Sequence, residues 1–129
     1  IKSKITVNVF CDEFNDRDVY KEAAINFIKK YHNEKCVIFL DPDTGLQSQH
    51  PEHTHVLNSE AHDIFDALKS EDIFVFYQHK TNQNNNPWIE PKRVQLAQAL
   101  GLKHDKIKIA QGKGTGIAHD VVLFFIKKT

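Results

Sequence analysis

Two carboxylates, Asp41 and Asp43, stand in Asp41-Pro42-Asp43-Thr44-Gly45-Leu46, directly after the apolar run Cys36-Val37-Ile38-Phe39-Leu40. Charge is costly to bury without a partner, so acids at the exit of a buried strand serve a turn or a reaction. Paired carboxylates accept hydrogen bonds from amino and hydroxyl groups, and they are hard oxygen ligands suited to Mg²⁺. A second polar group, Gln78-His79-Lys80, ends the apolar run Ile73-Phe74-Val75-Phe76-Tyr77. A third, His119-Asp120, opens Val121-Val122-Leu123-Phe124-Phe125-Ile126. Imidazoles move protons near neutral pH, and a lysine steadies phosphate charge. Asp41, Asp43, His79 and His119 are therefore the candidate catalytic groups. Pro42, Thr44, Gln78, Lys80 and Gly114 are candidate substrate contacts, and Asp41, Asp43 and Asp120 candidate metal ligands. Each also has a plain structural use: an Asx-type turn with Thr44 and Gly45, a strand-exit cap, a hairpin shoulder.

Other polar clusters carry less chemistry. His50, His53 and His55 with Glu52 lack the helical i, i+4 spacing or the cysteine partner of a fixed tetrahedral zinc site, and read as a solvated loop. Gly112-x-Gly114-x-Gly116 lies between two late strands and opens no helix, so it is turn chemistry before it is a dinucleotide loop. Its backbone N–H groups could still meet a phosphate. Trp88 reads as an anchor for the helix that follows. Asp12 and Glu13 read as the entry to a loop and helix.

The elements that must position these groups follow from periodicity. Residues 4–11 alternate as a strand. Val19, Tyr20, Ala23, Ala24, Phe27, Ile28 and Tyr31 form a helical stripe over about 17–32, with Asn15 and Asp16 as cap candidates. A strand at 35–41 leads into a loop over 42–57. Asn58 or Ser59 then caps a helix burying Ala61, Ile64, Phe65 and Leu68. Residues 73–77 read as a central strand. A polar loop over 81–87 precedes a third helix with Pro91 in its first turn and Gly101 as terminator. Strands over 106–110 and 121–126 flank the glycine turn.

The predicted order is β-α-β-α-β-α-β-β in one domain over 1–129. It is an α/β fold with a three-layer, mostly parallel sheet and an antiparallel last strand. That topology gathers Asp12, Asp41, His79 and His119-Asp120 on one edge of the sheet, where open α/β sheets bind ligands.

Composition sets the class. Apolar residues make up 40% and charged residues 26%, and 17 basic balance 17 acidic side chains, so no net field recruits nucleic acid or anionic membrane. Cys11 and Cys36 lack CxxC spacing and read as free thiols. No apolar run approaches the roughly 18 residues of a membrane span. The expected location is cytoplasmic, with no membrane partner. The chain starts at Ile1 and has no methionine, as expected of a trimmed product whose upstream portion is missing.

An apolar strand, Asp41-Pro42-Asp43, then helix, strand, helix and a final reversed hairpin resembles the carboxyl half of Rossmann-like class I methyltransferases. Asp41 and Pro42 match the first two positions of the D/N-P-P-Y motif of amino-methylating nucleic-acid members; Asp43 and Thr44 depart from it. The chain is also similar to an uncharacterised bacterial group with Phe-x-Asp-Pro-Asp-[Asn/Thr]-Gly-Leu (Phe39 to Leu46) and Tyr-Gln-His (Tyr77 to His79). The resemblance implies an enzyme acting on nucleic acid or nucleotide, with S-adenosylmethionine as cofactor if an upstream half holds it. The residues alone also suit a Mg²⁺- or Mn²⁺-dependent phosphoesterase or nuclease, and a non-catalytic recognition module.

Overall fold

A computed structural model describes residues 5–81, 86–112 and 120–129. Its first regular element is helix α1 (Arg17–Lys29), capped by Asp16, whose carboxylate accepts the Val19 N–H at 3.0 Å. Helix α2 (Asn58–Asp66) buries Ala61, Ile64 and Phe65, with Leu68 just beyond it, the stripe that the helical spacing predicts. Helix α3 (Ile89–Leu100) buries Leu96, Ala97 and Leu100. It ends on Gly101, which takes φ of 71°, a left-handed conformation that glycine adopts without a side-chain penalty.

The sheet is mixed and four-stranded. Its strands are β1 (Val37–Leu40), β4 (Ile73–His79), β5 (Lys108–Ala110) and β6 (Val121–Lys127), in the spatial order β1-β4-β6-β5. β1 and β4 are parallel, while β6 runs antiparallel to both β4 and β5. Two two-residue strands, β2 (Gly45–Leu46) and β3 (His55–Val56), pair in parallel as a separate ribbon.

Strand alternation divides the sheet. Phe74, Phe76, Gln78, Val122, Phe124 and Ile126 point to one face and are buried beneath the helices. The core cluster joins the apolar ones to Ile25, Ile64, Phe65, Leu96 and Leu100. Val75, Tyr77, Leu123 and Phe125 take the other face and are half-buried, while Val37 and Phe39 on the same face are exposed. No residue of that face belongs to the core cluster.

Several sequence expectations need correction. Residues 5–11 form no strand: the alternation is present, but no neighbour among the described residues supplies a ladder. The sheet has one parallel and two antiparallel pairings, since the reversed strand β6 lies between β4 and β5. Leu57 takes the cap position of α2, because Asn58 is already helical and its Oδ1 accepts from Gln95 Nε2 at 2.8 Å. The 42–57 loop contains β2 and β3, whose two-residue length leaves no periodic trace in the sequence.

Candidate functional site

Register fixes which groups share a rim. Leu40 pairs with Phe76, His79 with Val121, and Ala110 with Leu123, so the exits of β1, β4 and β5 and the entry of β6 lie at one end of the sheet. β4 overhangs β1 by three residues, roughly 10 Å at the strand rise. The chain after Leu40 folds against this overhang. The Thr44 carbonyl accepts the His79 N–H at 3.2 Å, and the Thr54 carbonyl accepts the Thr44 N–H at 3.1 Å.

Gln78 governs that fold-back. It is fully buried, its Oε1 accepts the Leu46 N–H at 2.9 Å, and its Nε2 donates to the His79 carbonyl at 2.8 Å. Gly45 adopts φ of 132° against this side chain, and a β-carbon there would stand 2.3 Å from Gln78 Nε2. Only glycine fits both the backbone and the space. Gln78 is therefore a brace inside the fold and not the expected substrate contact. The reason is alternation: Gln78 shares the helix-covered face with Phe74 and Phe76, while His79 takes the opposite face.

From the helix layer, Lys92 donates to the Leu46 and Gln47 carbonyls at 3.2 and 3.0 Å and to Gln95 Oε1 at 2.9 Å. Burial pushes its ammonium below the ordinary lysine range. Gln95 Nε2 adds a bond to the Gln47 carbonyl at 2.9 Å, and Gln47 Oε1 accepts the Asn58 N–H at 2.7 Å. At the far side of the loop, Arg17 pairs with Glu60 and donates to the Glu52 and His55 carbonyls. The loop is thus fixed at both ends by side chains from three helices.

On this frame, Asp41 and Asp43 are exposed, and neither makes a hydrogen bond or ion pair with a described residue. They do not close the Asx-type turn. Pro42 and Thr44 are half-buried beside them. His79 and Lys80 are half-buried, and the His79 ring meets Tyr77 edge-on at 4.9 Å. Tyr77 in turn lies 6.4 Å from Phe39, so a row of rings borders the rim on the open face. Asp120 is exposed, and its carbonyl accepts the Lys80 N–H at 2.7 Å. His119 and Gly114 lie outside the described residues. Asp12 and Glu13 are exposed in the irregular segment before α1 and end no strand.

No family model matches the chain, and neither a curated protein nor a solved structure matches it significantly.

Two expected occupants can be set against this geometry. Among the described residues, no group of three or more His, Cys, Asp or Glu is placed to hold a metal ion. Asp41 and Asp43 follow β1 and Asp120 opens β6, all three are exposed, and they form no such group with other described residues. S-adenosylmethionine does not fit the described residues either. The first glycine of the chain is Gly45, and the α1 entrance is closed by the Asp16 carboxylate instead of a glycine-rich turn. The residues that sequence reasoning missed are Lys92 and Gln95, which hold the loop, and for Gly45 it gave a turn but not the contact with Gln78. An i, i+3 Lys-Gln pair on a helix gives no sign of the distant carbonyls it will meet. A shallow depression lined by Val94, Gln98, Leu102 and His104 lies at the opposite end of the sheet, where α3 returns towards β5.

Proposed function

We propose that the strand-exit rim is the substrate-recognition surface of a Rossmann-like, methyltransferase-like enzyme domain that acts on nucleic acid or nucleotide. The observation that carries this reading is the pair Asp41 and Asp43: two exposed carboxylates without partners among the described residues, on a loop fixed by Gln78, Lys92 and Gln95. Neither acid side chain bonds to another described residue, whereas the surrounding backbone is tied in place. Such a fixed acceptor pair suits an exocyclic amino or a hydroxyl group of a substrate.

Each remaining group has a role at the same rim. The Asp41 carboxylate accepts from the amino group of a base and orients it. His79, one strand away, gives or takes a proton, and Lys80 offsets phosphate charge. Phe39 and Tyr77 present ring faces to a base. The described residues carry no site for the methyl donor, so the role proposed for them is recognition and orientation of the acceptor. The three-layer Rossmann arrangement belongs to this proposal as well.

Fluorescence anisotropy with labelled single-stranded oligonucleotides tests the reading. Adenine- or cytosine-containing strands should bind about tenfold more tightly than thymine strands, a preference that Asp41→Asn removes. Lys80→Ala should weaken all of them alike. No binding, or a base preference unchanged in Asp41→Asn, would overturn it.

A further inference from the structure

The chain carries a strand-like segment and a free strand edge that do not satisfy each other. Ile5-Thr6-Val7-Asn8-Val9 alternates β-branched and polar residues, the composition of a half-buried strand. Ile5, Val7 and Val9 are nevertheless 86%, 78% and 70% exposed, and no backbone–backbone hydrogen bond involves residues 5–9 among the described residues. Among the described residues β1 pairs only with β4, as an edge strand, and its Val37 and Phe39 are 63% and 51% exposed. Unpaired apolar edges of this kind template the addition of another strand.

The residues that follow the segment pack on α1. Phe14 meets Tyr20 at 5.0 Å, while Phe10 meets Tyr20 at 5.2 Å and Phe27 at 5.5 Å. From residue 14 back to residue 10 the ring contacts move down α1, so these residues run antiparallel to that helix. α1 itself runs from the strand-exit rim to the start of β1. Residues 10–14 therefore have the polarity of β1, and their two rings fasten them to the flank of α1.

We propose that residues 5–9 add as a strand to the free edge of β1 in a second copy of this chain, in a reciprocal exchange. One two-fold operation satisfies both elements of both copies, because each chain carries one donor and one acceptor. Pairing supplies the missing ladder and lays the Ile5, Val7, Val9 row beside Val37 and Phe39.

Light scattering after size exclusion, over concentrations up to about 1 mM, tests this on the full chain. The expected mass is twice 14.9 kDa. Val7→Pro removes a ladder donor and Val37→Lys blunts the acceptor edge. Both positions are exposed, so each variant should return to 14.9 kDa while keeping its helical circular dichroism signal and a cooperative melt, lowered only by the loss of the dimer. A monomer at every concentration would overturn the exchange, and so would a dimer that survives Val7→Pro. A monomer with protected amides at residues 5–9 would show the strand on its own edge and overturn it as well.

Discussion

Single residues decide whether the rim exists, and the clearest is Gly45. A methyl group there meets Gln78 at 2.3 Å and the backbone already sits at φ of 132°. Gly45→Ala should destabilise the chain by about 2–4 kcal/mol, read by urea unfolding. Gln78→Ala removes the obstruction but also the bond to the Leu46 N–H. The double variant should therefore be more stable than the two losses added together, by about 1 kcal/mol or more; strict additivity would mean that the two residues do not share the cost. Asp72 plays the matching part at the opposite rim. It is 1% exposed, accepts the Cys36 and Lys69 N–H groups at 2.9 Å each, and pairs with the Lys69 ammonium at 3.0 Å. Burial raises its pKa, but these donors together outweigh burial and hold it below the usual aspartate range. A carboxyl whose folded value is depressed lends stability above its unfolded value, about 3.9, and loses it as pH falls through the folded value. Asp72→Asn should thus cost about 3 kcal/mol at pH 7 and progressively less below pH 4. A gap that stays constant down to pH 2 would contradict the assignment.

Elements show which information the sequence carries openly. α1, α2, α3, β1, β4 and β6 all lie where apolar spacing places them, since burial on one stripe or one face leaves a period in the chain. Pairing leaves no such trace. Residues 5–11 alternate like a strand, but alternation cannot create a neighbour, and β2 and β3 are too short to alternate at all. The strand exits that gather Asp41, His79 and Asp120 were legible because chain direction alone fixes them. The separation of Gln78 from His79 was legible too, through the same two-residue period, but a motif read as a unit hides it. What no local pattern could reveal is the cross-link from α3 to the loop. Lys92 spends all three of its donors on Leu46, Gln47 and Gln95. Lys92→Met keeps the aliphatic stem and deletes those bonds. Amide exchange at Leu46 and Gln47 should then quicken about tenfold, while the global unfolding free energy changes by less than about 1 kcal/mol. Equal exchange rates in the two proteins would detach α3 from the control of this loop.

At the scale of the whole molecule, charge balance and an uncovered sheet face act together. Seventeen basic and seventeen acidic residues leave a formal net charge of zero, and the isoelectric point is about 7.2. Near that pH no long-range repulsion keeps molecules apart. The face bearing Val37 and Phe39, with Val75, Tyr77, Leu123 and Phe125 half-buried, supplies an apolar surface outside the core. Attraction therefore meets no electrostatic barrier, and the chain should be least soluble near pH 7.2. Acidification changes this before it harms the fold. Below its isoelectric point the chain gains net positive charge, which grows as the pH falls towards about 5.5. The depressed carboxyl of Asp72 is still ionised there, because its stabilising contribution fades only below the ordinary aspartate range. Static light scattering across pH 5.5–8 should then give a second virial coefficient that is lowest near 7.2 and clearly higher at 5.5. Adding salt should shrink the difference, since screening removes the repulsion that acid creates. Replacing Phe39 with lysine should raise the whole curve, because it places charge on the apolar face itself. A coefficient that falls steadily from pH 8 to pH 5.5 would mean that protonation exposes new apolar surface faster than it adds repulsion.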